Sequence, residues 1–347
     1  MVVGDYKGKR VDIGIDVHLR QYTVCCRYEG QVVKRATMRG YPEELVAFIL
    51  RNFPGAAVRT AYEAGFSGFV LHRALVKAGI ESIVVHAASI EISRKKTKTD
   101  KRDAQKIAEQ LEGGRLKGIH VPTEEEDRKR LLPRTRAQLV RARTQVKNQI
   151  RMRLHYFGLL DPMEKRSMSK ALLEEVRGKT LPDEIQQAIQ LHESVWQILD
   201  EQIRCCDQKL KTADSEQLVQ LYRSVPGFGR LIAVSLAREL GDMRQFESEK
   251  RLFSFTGLTP SEFTTDDARH LGHITRQGSA RLRHLLVQAA WVAIKKDGSL
   301  QTKYNRIAAK AGKKRAIVAI ARKLIGKARA VVRKKESYNL EEQKMAA

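Results

Sequence analysis

Cysteine, proline and tryptophan are all scarce in this chain of 347 residues, which holds 4 Cys, 8 Pro and 2 Trp. The cysteines come as two adjacent pairs, Cys25/Cys26 and Cys205/Cys206. Adjacent cysteines match neither a disulfide framework nor the two-residue gaps of a zinc site, so buried thiols are expected. Long apolar runs are missing too. No stretch approaches the ~18 uninterrupted apolar residues of a membrane helix, and MVVGDYKGKR lacks the apolar core of a signal peptide. The expectation is a cytoplasmic protein with no membrane partner. Acidic residues are short in number as well: 40 Asp+Glu face 65 Lys+Arg, a formal charge of +25 with a pI near 10.0. That excess goes well beyond what solubility requires and predicts a polyanionic partner, nucleic acid before an anionic membrane surface. What the chain does have is apolar residue enough, 42%, to build real cores. Its length allows about two or three domains.

The first part reads as strands and helices of a mixed sheet. VDIGIDVH alternates, with Val11, Ile13, Ile15 and Val17 on one face and Asp12, Gly14, Asp16 and His18 on the other. Two β-rich runs around Glu29-Gly30 read as a hairpin. A helix over Pro42 to Asn52 carries Leu45, Val46, Ile49 and Leu50 as its apolar stripe. AVRTAYE then reads as a strand ending near Glu63, FSGFVLHRALVKAG as a helix stopped by Gly79, and ESIVVH as a further strand. The order β-β-β-α-β-α-β suits an RNase H-like fold.

From about Glu124 to Thr212 the pattern is helical. Ile185, Ile189, His192, Trp196, Leu199, Ile203, Cys206 and Leu210 are spaced alternately four and three apart, a heptad seam. An earlier helix from about Pro133 to Phe157 carries Leu139, Val146, Ile150 and Leu154. Either the two pair within one chain or the seam joins subunits. Beyond Ser215, two helices flank VPGFG (Val225 to Gly229), the pattern of a helix-hairpin-helix whose backbone N–H groups at Gly227 and Gly229 can hold a phosphate, or of an ordinary αα-hairpin. A polar, loop-rich stretch and an apolar helix, LVQAAWVAI, come next. Lys303 to Lys335 then holds thirteen Lys+Arg and no acid until Glu336.

Four acids stand at positions suited to chemistry. Asp16 and Glu63 end strands, and Asp100 and Asp103 share one face of a helix start. Each alone could cap a turn or a helix. Together, in so basic a chain, they would repel one another unless a cation held them, and oxygen ligands select Mg²⁺ or Mn²⁺. Two such ions about 4 Å apart stabilise the attacking and leaving oxygens at phosphorus. Arg94, Lys95, Lys96, Lys98, Lys101 and Arg102 flank the last two acids and suit a passing phosphate backbone. Arg269, Arg276, Arg281 and Arg283 read likewise, against the alternative of a solvated face. His270 and His273 lack a third residue at metal spacing.

GIDVH around Asp16, YEAG around Glu63 and KTDKRDA around Asp100 and Asp103 resemble the DEDD tetrad of the insertion sequence 110/1111 family of transposases, relatives in fold of RuvC resolvases. VPGFG, FSFTGLTPSEF and GHITRQGSARLRHLLVQAAW resemble that family's second domain. The likeness spans almost the whole chain in order. It implies a RuvC-like DEDD domain at 1–125, a helical coiled-coil-like domain at 126–212, a C-terminal transposase domain with a helix-hairpin-helix at 213–335 and a tail at 336–347. It further implies Mg²⁺ (or Mn²⁺) on Asp16, Glu63, Asp100 and Asp103, a serine nucleophile from the second domain, a guide RNA, DNA at element ends and target, and a homo-oligomer, dimer or tetramer. The serine's place, counted from Pro260 and from Gly272, falls on Thr265, followed by Asp266. A threonine hydroxyl is nucleophilic, but its β-methyl crowds in-line attack. Ser261 is the alternative. Set against a transposase that recombines through a covalent protein–DNA link are a structure-selective nuclease using water and a decayed, non-catalytic nucleic-acid-binding protein.

Overall fold

The computed structural model describes residues 6–90, 99–178, 181–265 and 268–339, with the backbone alone described over 263–265 and 268–271. The chain divides into two compact units, Met1–Pro122 and Thr123–Ala347. The first is built on a five-stranded mixed sheet: β1 (Arg10–Val17), β2 (Gln21–Tyr28), β3 (Gln31–Arg39), α1 (Pro42–Asn52), β4 (Ala57–Glu63), α2 (Val70–Lys77), β5 (Glu81–Val85) and α3 (Asp100–Glu112) follow in sequence. In space the strands run β3-β2-β1-β4-β5, antiparallel among the first three and parallel from β1 through β4 to β5. Glu29 and Gly30 both adopt positive φ (47° and 77°), the conformation of a tight hairpin turn whose twist matches the strands.

Alternation on β1 serves two layers, not one core and one wet face. Val11, Ile13 and Ile15 pack with Leu45 and Ile49 of α1 and Leu71 and Leu75 of α2. The opposite face is covered by α3, through Ala104 and Ala108 against Cys25 and through Ile107 and Leu111 against Ala61. Asp12, on that second face, is 3% exposed and is neutralised by Arg10 at 3.1 Å and Arg59 at 2.7 Å. On α1 the stripe is narrower than expected: Leu50 is 56% exposed, because it sits one position, about 100°, beyond Ile49.

The second unit is mainly helical: α4 (Glu124–Tyr156), α5 (Lys170–Arg177), α6 (Asp183–Leu210), α7 (Gln217–Ser224), α8 (Arg230–Leu240), α9 (Glu249–Phe255), a hairpin of β6 (Pro260–Thr265) and β7 (Ala268–Ile274), then α10 (Ala280–Lys296), α11 (Gly298–Ala311) and α12 (Lys313–Lys334). The first of these helices starts well before Pro133, at a capping box in which Thr123 and Glu126 satisfy each other's backbone N–H. The heptad seam is closed within the chain. Ile189 and Trp196 of α6 pack with Ile150 and Leu154 of α4, and Arg153 meets His192, Arg143 meets Asp200 and Arg136 meets Asp207, an antiparallel pairing along the two helices.

The stretch read as loop contains β6 and β7. Its Thr-rich and Arg/His-rich strands lack an apolar face at period two, so nothing in the pattern separates them from a polar loop. A larger core gathers α7 to α12, with Tyr222, Leu236, Leu286 and Leu324 fully buried.

Candidate active site

The acids are positioned by strand alternation and by one glycine. Gly14 and Asp16 lie two apart on β1, and Ala61 and Glu63 two apart on β4, so each acid shares the face of the small residue before it. Those small residues lie under α3: a Cβ on Gly14 would be 2.2 Å from the Ala104 carbonyl oxygen and 2.3 Å from the Ala108 nitrogen. Only glycine permits that approach. It sets the first turn of α3, with Asp100 and Asp103, beside the end of β1. The registered pair Ile15 and Tyr62 immediately precedes Asp16 and Glu63 on the two parallel strands.

Asp16, His18 and Asp100 bring ligand atoms within 4.8 Å of one another. His18 Nε2 stands 3.3 Å from Asp16 Oδ2 and 3.5 Å from Asp100 Oδ1, and Gln21 donates to Asp100 Oδ2 at 3.3 Å. Glu63 and Asp103 fall outside this closest group; Glu63 is exposed and Asp103 faces Lys106 at 3.5 Å. Asp100 is the first helical residue and not the cap, a place that the helix dipole makes favourable for an anion. The Asp16 carboxyl is pushed above its ordinary value of 3.8, first by burial, then by Asp100 and Asp103, with His18 pulling the other way. A crowded carboxylate that holds its proton more tightly, as Asp16 does, marks a donor set short of positive charge, and Asp16, His18 and Asp100 fit a divalent cation. His18 is the residue the sequence reading left without a role. It lay on the polar face of β1 with Asp16, but a lone histidine carries no sign of where α3 will land.

The basic residues divide. Lys101 and Arg102 are exposed at the start of α3, whereas Lys96 and Lys98, with Arg94 and Lys95, lie outside the described residues. In the second unit Arg276 is exposed, at a left-handed φ of 58°. Arg281 is turned inward instead: it pairs with Glu239, itself 7% exposed and held by Arg134 at 2.7 Å. Its guanidinium satisfies a buried carboxylate and is not offered to a backbone phosphate. Arg283 donates to the carbonyls of Gly257 (3.3 Å) and Arg276 (3.4 Å), tying the loop before α10. The reading of Gly227 also changes. Its φ is +85° and a Cβ there would be 2.3 Å from the Ala289 carbonyl oxygen, so this glycine is needed for packing on α10, and its residue is buried. Gly229 is exposed and precedes α8.

Both hydroxyl candidates are on β6. Ser261 Oγ donates to the His273 carbonyl oxygen at 3.1 Å, and Gly272 faces it, where a Cβ would be 2.4 Å from that Oγ. Thr265, four residues on, pairs through its backbone with Ala268 at the hairpin end; Asp266 lies outside the described residues, and only the backbones of Arg269 and His270 are described, in β7.

Two family models match. One, described as the transposase IS116/IS110/IS902 family, covers residues 219–305; the other, described as a transposase, covers residues 13–157 and so includes all four acids. Among similar proteins, "Putative transposase y4qE" of Sinorhizobium fredii is 30% identical over 76% of this chain and 73% of its own. "Probable family 20 transposase" of Pseudomonas aeruginosa is 27% identical over 81% and 80%, and the transposase for insertion sequence element IS1111A of Coxiella burnetii 27% identical over 77% and 75%. An acid cluster at the end of a mixed sheet, with one match running from that sheet into the helical middle and the other lying beyond it, makes the protein a DNA transposase in class. The chain belongs to the IS110 family of insertion-sequence transposases. Family membership implies use of a divalent metal, and among the described residues no helix is long and apolar enough to cross a membrane.

Proposed function

We propose that this protein cuts and rejoins DNA at the ends of an insertion element, with Asp16, Glu63, Asp100 and Asp103 holding Mg²⁺ or Mn²⁺ in an RNase H-like, RuvC-like domain and a β6 hydroxyl as nucleophile. The observation that carries it is the convergence of Asp16 and Asp100 on one nitrogen, His18 Nε2, at the end of the parallel strands. When bound, the metal supplies charge that steadies the attacking and leaving oxygens at phosphorus. Asp16 and Asp100 would hold that ion, and Gln21 orients Asp100 through its donated hydrogen bond. The hydroxyl of Thr265, or of Ser261, bonds to phosphorus while the bridging oxygen leaves as a free strand hydroxyl. Attack by another strand's hydroxyl reverses the step, so the phosphodiester energy is kept without ATP.

In this reading 126–212 is the coiled-coil-like domain, 213–335 the second domain with Gly229 opening the later helix of a helix-hairpin-helix, and the working particle is a cytoplasmic dimer or tetramer guided by RNA. The deciding experiment is Asp16→Asn. Metal-dependent strand cleavage should vanish while folding and DNA affinity stay close to those of the parent, since one charged ligand and little packing are removed. Cleavage at the parental rate would sink the tetrad.

The structure-selective nuclease stays as a second reading because of one observation: threonine, with its hindering methyl, stands where the family carries serine.

A further inference from the structure

A pocket of about 560 Å³ opens between α9, α11, α12 and the segment that follows α12. Its charged lining is Lys303, Arg322, Lys323 and Lys334 against Glu249 and Glu336, with a fifth cation, Lys327, at the base. That fifth charge is already answered: Lys327 is 8% exposed, stands 3.4 Å from the buried Asp297 and meets the Tyr338 hydroxyl, which donates to the same carboxylate at 3.1 Å. Tyr338 is held in turn by its backbone N–H on Ser224 Oγ at 2.8 Å, so this wall is anchored to α7. Glu249 faces Arg322, whose guanidinium also lies 4.6 Å from the Phe253 ring centroid. Lys303 and Lys323 both line the pocket and repel each other, with no ion pair to either among the described residues.

Like charges placed together in a partly desolvated pocket are unfavourable unless an anion completes them. The Lys303 ammonium shows the strain, being held below its ordinary value by burial and by Lys323 and Arg306. The positive charge also continues outward. Lys303, Arg306 and Lys310 recur at three and four residues on α11, hence on one face. At 1.5 Å per residue that face runs about 10 Å, roughly three nucleotide steps of a strand.

We infer that the pocket between α11 and α12 seats a backbone phosphate of a nucleic-acid strand, with Lys303 and Lys323 as its direct partners and the outer face of α11 as the track along which the strand continues. This rests on the reading that the protein works on nucleic acid, and it assigns a contact that neither the acid cluster nor the β6 hairpin provides. A phosphate is favoured over an acidic peptide because the α11 cations repeat at backbone spacing.

The test uses the full-length chain, titrated with a 30-nucleotide single-stranded DNA, the same sequence as RNA, the DNA duplex and polyglutamate, each across a range of salt. Lys303→Ala/Lys323→Ala should lower the slope of log affinity against log salt by about 1.4 on single strands, about 0.7 per lost contact. Its thermal midpoint should be unchanged or raised, since a repulsion is removed. Lys323→Gln alone, at an exposed position, should give half the slope change and guards against a folding fault in the double variant. Lys165→Ala/Lys209→Ala, of equal charge and also exposed, is the control. An effect on DNA alone or on RNA alone satisfies the proposal and identifies the strand. Slopes equal to those of the control overturn it, as does a loss seen with polyglutamate but not with oligonucleotides. If the parent binds no nucleic acid at all, the functional reading falls together with the pocket; if the parent binds steeply and the variants match the control, only the pocket falls.

Discussion

Gly14 of β1 and Ala104 of α3 are in backbone contact so close that a Cβ on the glycine would lie 2.2 Å from the alanine's carbonyl oxygen. Two carboxylates, Asp16 and Asp100, owe their proximity to this crossing, because one follows the glycine by two residues on its strand and the other precedes the alanine by one helical turn.

Gly14→Ala should therefore act as a lever. The backbone beneath cannot yield as a flexible side chain would, so α3 must lift. Overpacking of this kind costs about 1–3 kcal/mol, and denaturant unfolding should register at least that. In the fraction that stays folded, metal-dependent cleavage should fall well below the parental rate although no acid has been changed. A variant with parental stability would show that α3 docks elsewhere.

The raised Asp16 carboxyl makes a signed prediction about stability. A folded-state value above the unfolded one means that ionisation opposes folding, an effect absent below the ordinary value of 3.8 and fully present above the raised value. At neutral pH the metal-free protein should be stabilised by Asp16→Asn, and millimolar Mg²⁺ should raise the thermal midpoint of the parent but not of the variant. Equal Mg²⁺ responses would remove Asp16 from the metal site.

Asp297 titrates in the opposite sense. Burial pushes its carboxyl up, but hydrogen bonds from Ser299, the Leu300 N–H and Tyr338, with Lys327 nearby, carry it below 3.8 overall. Its contribution is thus present above the ordinary value and lost as pH falls through the lowered one. Asp297→Asn takes the paired carboxylate from the buried Lys327 ammonium and leaves it the Tyr338 hydroxyl, and a loss of about 3–5 kcal/mol is expected in urea unfolding at pH 7. A loss under 1 kcal/mol would mean that Lys327 finds another partner.

Arg281 and Arg276 should separate stability from binding. Arg281→Ala leaves Glu239 with one guanidinium fewer in a buried setting and should lower stability by about 2–3 kcal/mol, with little change in the salt dependence of DNA binding. Arg276→Ala should do the reverse. If both variants alter only the salt slope, the inward pairing of Arg281 is not what holds it.

Ser261 and Thr265 are four residues apart on one strand, about 13 Å at the usual rise, too far for both to address one phosphorus. A covalent protein–DNA band on a denaturing gel should disappear in Thr265→Ala and persist or strengthen in Thr265→Ser. Loss of the band in Ser261→Ala instead reassigns the nucleophile. Unlinked ends made at full rate by both alanine variants would make water the attacking group.

Much of this architecture was legible because it rests on local pattern. Period-two alternation located β1 and β4, the Glu29-Gly30 turn located the β2–β3 hairpin, and of the four acids picked out at strand ends and a helix start the structure brings Asp16 and Asp100 together. Features that depend on distant partners were not legible. His18 gains its place only when α3 lands on Gly14, Arg281 turns inward only because Glu239 of α8 is buried beside it, and Gly227 is a packing glycine only once α10 lies over it. The heptad seam reported that a partner helix exists but could not say which; the answer lay in charges on α4, Arg136 and Arg143, that meet Asp207 and Asp200. The β6–β7 hairpin escaped notice because strands without an apolar face have no period-two signature.

The adjacent thiols of Cys25 and Cys26 point to opposite faces of β2, the first beneath α3 and the second among the side chains packed by α1 and α2. Burial holds both above the ordinary thiol value, so neither reacts while its layer is closed. Two neighbouring atoms of sulfur thus keep separate clocks: a breath that frees α3, and with it Asp100, exposes Cys25 and leaves Cys26 silent, whereas opening of the other layer does the opposite. In single-cysteine forms, the ratio of their labelling rates would time the assembly of the acid cluster apart from the folding of the sheet that carries it.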